Sequence, residues 1–123
     1  MVAVTNLAVI DEVFFQLLYE SDYPETNLFK WTILQAFLDI IYQMEDVVSA
    51  MDFLGSNKFE WKQRRDEICE LAFMFSSWMT ADLIQQIYLD YTTNKTVRAR
   101  ITEIFNKYEA GIYLYKGENQ HAS

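Results

Sequence analysis

The stretch Thr26–Leu54, TNLFKWTILQAFLDIIYQMEDVVSAMDFL, holds no glycine and no proline and is apolar on more than one face. Trp31, Leu34, Leu38, Ile41, Val48 and Met51 fall on one stripe at helical intervals, broken where Glu45 would continue it. Ile33, Phe37, Ile40, Met44, Val47 and Leu54 form a second stripe beside the first. Two adjacent stripes need partners on more than one side, so the spacing predicts a central helix, about 26–54, with the rest of the chain packed around it. Thr26 is the expected N-cap, Pro24 separates this helix from the one before, and Gly55 is expected to close its last turn in the left-handed conformation. A membrane span needs an apolar run of about eighteen residues or more. Lys30, Gln35, Asp39, Gln43, Glu45, Asp46 and Asp52 interrupt this one, and no membrane partner is expected.

Outward from that helix the pattern stays helical. A first helix, capped by Thr5 or Asn6, carries Leu7, Ile10, Phe14, Leu17 and Leu18 at helical intervals, and the short turn Ser21–Thr26 makes helices one and two an antiparallel hairpin. After Gly55, Asn57 and Glu60 have the spacing of a capping box for a third helix reaching about Phe75. Ser76, Ser77 and Thr80 offer caps for a fourth, Thr92–Thr96 reads as a turn, and a fifth begins at Val97 and ends at Gly111. The expectation is an all-α fold: one compact domain of about five helices over residues 1–115. Ile112–Tyr115 reads as a short extended piece and 116–123 as a polar, fraying C-terminal tail.

A chain of 123 residues, 51% hydrophobic and 16% aromatic, can bury a sizeable core and still leave aromatic side chains for a partner. The single cysteine, Cys69, excludes an intrachain disulfide and reads as an apolar core residue. No basic flank, apolar run and cleavage site combine at the N-terminus, so a cytoplasmic location is expected. The net charge of −8 is unevenly placed. Residues 1–56 hold nine carboxylates against the single Lys30, whereas residues 57–123 hold nine acidic and nine basic side chains. Such asymmetry fits a basic partner or a need for solubility, and it repels nucleic acid from the first half.

No catalytic, metal or phosphate-binding motif stands out. The only histidine, His121, lies in the tail, and the residue count rules out both a di-iron bundle of paired Glu-x-x-His motifs and a Cys/His zinc site. With three glycines and neither a GxxxxGK[ST] nor a GxGxxG motif, loop-type nucleotide binding is unsupported. Glu67 and Glu70 form an E-x-x-E beside Asp66, but no second acidic pair at matching spacing exists, and Arg64 and Arg65 account for these carboxylates as ion-pair partners. The chain is expected to be no enzyme and to need no cofactor.

The third and fourth helices invite comparison with a helix-turn-helix, yet Trp78–Tyr91 has no basic residue with which to read phosphates or base edges. AMDFLGSNKF (Ala50–Phe59), followed by RRDEICELA (Arg64–Ala72) and preceded by ILQAFLDI, resembles a pattern of small accessory proteins of tailed phages. In that family an aromatic-Leu-x-Ser turn leads to a helix containing Cys-Glu-Leu-Ala. The likeness covers roughly Ile33–Ile87. The sequence departs from it at Phe73, where a glycine is usual, and at Ser77-Trp78, where Asp-Pro is usual. The resemblance implies phage origin and a role in regulating transcription or host processes.

The leading expectation is a non-enzymatic interaction protein whose acidic and aromatic helical surface, with Asp39, Glu45, Asp46 and Asp52, binds a basic host or phage protein. It would act as a DNA-mimic-like inhibitor or regulator. The alternative is a helix-turn-helix-like nucleic-acid-binding transcription modulator using Lys62, Arg64, Arg65, Arg98 and Arg100. Self-association into a homo-oligomer through aromatic stripes is compatible with either.

Overall fold

The computed structural model describes residues 6–74, 76 and 78–109. Six helices account for all the regular structure in them: α1 (Leu7–Leu18), α2 (Pro24–Ile41), α3 (Val47–Gly55), α4 (Phe59–Ala72), α5 (Ala81–Thr93) and α6 (Lys95–Glu109). The expected all-helical class therefore holds, with six helices where five were read. Phe75 as a helix end, Ser77 as a cap, Gly111 as a helix end, the extended piece at 112–115 and the tail at 116–123 lie outside the described residues.

The additional helix comes from a break in the stretch that dominates the sequence. After Ile41 the chain turns, and Gln43 takes φ 52, the left-handed region. The Met44 N–H donates to the Asp39 carbonyl at 2.9 Å and the Gln43 N–H to the Ile40 carbonyl at 3.4 Å. This is the Schellman pattern of a helix end, with glutamine in the position that glycine usually fills. The Gln43 side chain adds a bond from Nε2 to the same Ile40 carbonyl at 2.9 Å, so local bonding offsets the left-handed backbone. The break resets the helical phase. Val48 and Met51, placed on one buried stripe with Leu34 and Leu38 by spacing, are 68% and 45% exposed, and α3 buries Ala50, Phe53 and Leu54 instead; Trp31, on that stripe ahead of the break, is 42% exposed.

Two expected caps are also corrected. Tyr23 is the N-cap of α2 with Pro24 at the first helical position, where its missing N–H costs nothing. Thr26 is buried inside the first turn, and its hydroxyl donates to the Met74 sulfur at 3.8 Å. The Asn57–Glu60 capping box does not form: α4 starts after Lys58 without a side-chain cap, and Asn57 accepts from Gln85 Nε2 at 2.9 Å. Asn6 and Thr80 do cap α1 and α5, accepting from the N–H groups of Ala8 and Leu83. The expected turn 92–96 shrinks to Asn94, whose side chain caps α6 by accepting from the Val97 N–H at 3.0 Å.

α2 lies at the centre, against α1, α3 and α4, and α6 closes back onto α1. Phe14 of α1 meets Phe37 of α2 edge-on at 5.1 Å and Phe105 of α6 at 5.4 Å, so three helices converge on one aromatic cluster. α5 bridges α6 to α3 and α4. Gly55 is helical rather than left-handed, and its role is close approach: an added Cβ would stand 2.5 Å from Cε2 of Tyr88 on α5. Cys69 is buried in the same core as expected, and that burial pushes its thiol up to about 12. No helix among the described residues is long and apolar enough to cross a membrane.

Candidate functional site: a groove between α2, α3 and α4

The two sets of residues singled out in the sequence are treated very differently by the fold. Of the acidic set, Asp39 does not face outward: it is buried and accepts from Gln35 Nε2, one turn earlier, at 2.7 Å. The break after Ile41 places Glu45 and Asp46 on the exposed corner between α2 and α3, and neither is salt-bridged among the described residues. Asp52 is half-buried on α3. Burial raises the Tyr88 phenol above its ordinary range, and the nearby Asp52 carboxylate raises it further.

Of the basic set, Arg65 is removed from any surface role. It is 1% exposed, and its guanidinium donates to the Phe53 carbonyl at 2.8 Å and the Ser56 carbonyl at 3.1 Å. Burial lowers its pKa, with Asp66, Cys69 and Asp82 acting in the opposite direction. Arg98 is exposed but donates to the carbonyls of Tyr91 at 3.1 Å and Thr92 at 3.2 Å, with its guanidinium 5.9 Å from the Tyr91 ring centre. Arg100 pairs with Asp11 at 3.6 Å and Glu103 at 3.9 Å. Lys62 and Arg64 remain as exposed cations without an ion pair among the described residues. The five basic residues therefore do not make one phosphate-binding surface.

Lys30, Arg65 and Arg98 share a role that spacing alone concealed. Helices α1 to α5 all lack a basic residue in their last turn, and three of them, α1, α3 and α5, are served from outside. Each receives a cation from the helix that follows: Lys30 reaches the Tyr19 carbonyl at the end of α1 at 3.1 Å, as Arg65 and Arg98 do for α3 and α5. A cation there satisfies carbonyls that have no helical partner and complements the negative end of the helix dipole.

One depression brings members of both sets together. A groove of about 500 Å³ opens between α2, α3 and α4. Trp31, Trp61 and the buried Phe53 line it with apolar rings, Asp39 and Asp46 supply carboxylates, and Arg64 lines it from α4. Gln35 and Ser49 add neutral hydrogen-bonding groups. Its position follows from the break at Gln43, which folds α3 back beside α2 and sets Asp46 near Asp39 across the corner. Reading Thr26–Leu54 as unbroken hid the groove. The residues that mark it in the sequence are Trp31 and Trp61, the only two indoles of α2 and α4.

A second depression of about 420 Å³ lies along α4 and is floored by Phe29, Ile68 and Leu71, with Glu60 and Glu67 at its edges. Arg64 lines both depressions. Indoles and carboxylates attract cations through the ring quadrupole and through charge, whereas the Arg64 guanidinium in the same lining opposes a second cation close to it. Comparison with protein-family models, with curated proteins and with solved structures gives no match.

Proposed function

We propose that this protein is a non-enzymatic interaction protein that binds a basic partner protein across the acidic, aromatic face formed by α2, the α2–α3 corner and α4. The observation that carries this reading is the contrast in charge use. Among the described residues Glu45 and Asp46 stand exposed and without salt bridges beside a groove lined by two tryptophans, while Arg65, Arg98 and Arg100 are engaged within the fold and only Lys62 and Arg64 of the five candidate cations are exposed and unpaired. The resemblance to phage accessory proteins supports a partner belonging to the phage or its host, in a cytoplasmic setting. Occupying a nucleic-acid-binding surface of that partner would make the protein an inhibitor or regulator by charge imitation.

Affinity capture from host lysate tests this, run with and without nuclease and eluted with a salt gradient. A basic protein retained after nuclease treatment and released by a few hundred millimolar salt is the expected result, because ionic attraction is screened over about 8–10 Å at physiological ionic strength. Retention that disappears with nuclease, together with a gel shift of plain duplex at low salt, would overturn the reading in favour of nucleic acid.

A further inference from the structure

We infer that the two depressions joined at Arg64 form a single docking trough for a basic amphipathic helix, which places a cationic side chain between Trp31 and Trp61 and an aliphatic one on Phe29, Ile68 and Leu71. This inference rests on the preceding reading and narrows it to one type of segment and one orientation.

Chemistry distinguishes the two ends. The first groove is lined by two indoles, the exposed Asp46 and the buried Asp39, and Trp31 is 42% exposed, so part of its ring is open to an incoming group. Arginine suits that end best, because its planar guanidinium stacks on an indole while its N–H groups reach a carboxylate. The second depression has a floor of three apolar residues, with Leu71 41% exposed, and its carboxylates, Glu60 and Glu67, stand on α4 at the edges. That arrangement accepts an aliphatic anchor flanked by further basic residues. Between them Arg64 repels a cation, which excludes a uniformly basic segment and sets the register.

Spacing along α4 fixes the ligand. At a rise of 1.5 Å per residue, Trp61 in the first groove and Leu71 in the second lie about 15 Å apart along α4, close to three helical turns. An arginine and a leucine about eleven residues apart on one face of a helical segment match this separation, whereas a single basic side chain reaches only one end.

The test uses the full chain and synthetic peptides of about sixteen residues, with arginine and leucine three turns apart on an otherwise polar helix. Binding is followed by the emission of the protein's tryptophans and by peptide anisotropy. Replacing the peptide arginine with citrulline, which keeps the shape and removes the charge, should weaken binding about tenfold, as should replacing the leucine with serine. Trp31→Ala and Leu71→Glu change exposed side chains and should each weaken binding by a similar factor, while Arg64→Ala should tighten it about two- to threefold. Unchanged circular dichroism of the variants separates lost binding from lost fold.

If basic peptides bind with salt sensitivity but Trp31→Ala, Leu71→Glu and the serine peptide make no difference, the trough is wrong and the broader acidic-face reading stands. If no basic peptide binds at all, both fail. Sedimentation of the protein alone as a dimer that Leu71→Glu dissociates would make a second copy the occupant and would also overturn the inference.

Discussion

In the α3–α4 pair, Arg65 reaches the end of the preceding helix from a position 1% exposed; in the α5–α6 pair, Arg98 makes bonds of the same kind from the solvent-exposed surface. The chemistry is alike, a guanidinium donating to two carbonyls that a helix leaves unpaired. The environment differs, and so should the consequence. Water can replace Arg98 at the carbonyls of Tyr91 and Thr92, whereas the Phe53 carbonyl faces a buried donor. Hydrogen-bond distance alone therefore says little about contribution; burial of the acceptor decides it.

The sharpest way to break this comparison is Arg65→Met, which keeps most of the volume and removes both donors. The Phe53 carbonyl loses a buried donor at about 1–3 kcal/mol and the part-buried Ser56 carbonyl adds less, so stability should fall by roughly 2–3 kcal/mol in urea unfolding. Arg98→Ala should cost about 1 kcal/mol, and Arg64→Ala, one residue from Arg65 but on the groove, less than about 0.5 kcal/mol. Equal losses at positions 65 and 98 would show that burial does not set the difference.

A second substitution sharpens the picture at the same helix end. Gly55→Ala adds a methyl 2.5 Å from Cε2 and 2.8 Å from Cδ2 of the Tyr88 ring, which itself packs in the core. Overpacking of this kind costs about 1–3 kcal/mol, more than the helix propensity that alanine gains. Combining Gly55→Ala with Tyr88→Leu should recover part of the loss relative to the sum of the single changes, measured as a double-mutant cycle. Simple additivity would mean that the close approach is relieved by some other movement. The end of α3 is thus held from two sides, by Arg65 and by the Tyr88 ring against Gly55.

The residues explain how much of this was legible in the sequence. Helical class, the buried Phe14, Phe37 and Phe105, and the core cysteine follow from apolar spacing, because side chains three and four apart share a face. The break at Gln43 was not legible, since glutamine carries no turn signal and the left-handed residue is held there by bonds to Ile40 and Asp39 that exist only once α2 has formed. Missing that break misplaced Asp39 on the surface and concealed the groove. Arg64 and Arg65 show the same limit on a smaller scale: adjacent and chemically identical, they are separated by about 100° around α4, which sends one to the groove and the other beneath Phe53.

Of the three cations that reach a preceding helix end, Lys30 should show the smallest effect. Lys30 is buried and donates to the Tyr19 carbonyl at 3.1 Å, and burial lowers its pKa from the ordinary lysine value of 10.5. Two terms therefore oppose one another in Lys30→Met: the lost bond costs about 1.5–3 kcal/mol, and the released desolvation penalty offsets most of it, leaving a net change of about 1 kcal/mol or less at neutral pH. The pH dependence separates the terms. With its folded pKa depressed, Lys30 binds its proton more weakly in the folded chain than in the unfolded one, so the burial penalty is fully present at low pH. It fades as pH rises from the folded pKa towards 10.5. The parent protein should gain stability relative to Lys30→Met over that interval, while the alkaline titrations of Cys69 and Tyr88, common to both, cancel in the difference. A gap that stays constant across the interval would mean that the ammonium of Lys30 is hydrated despite its burial, and the parallel between Lys30 and Arg65 would then reduce to a shared position without a shared energetic cause.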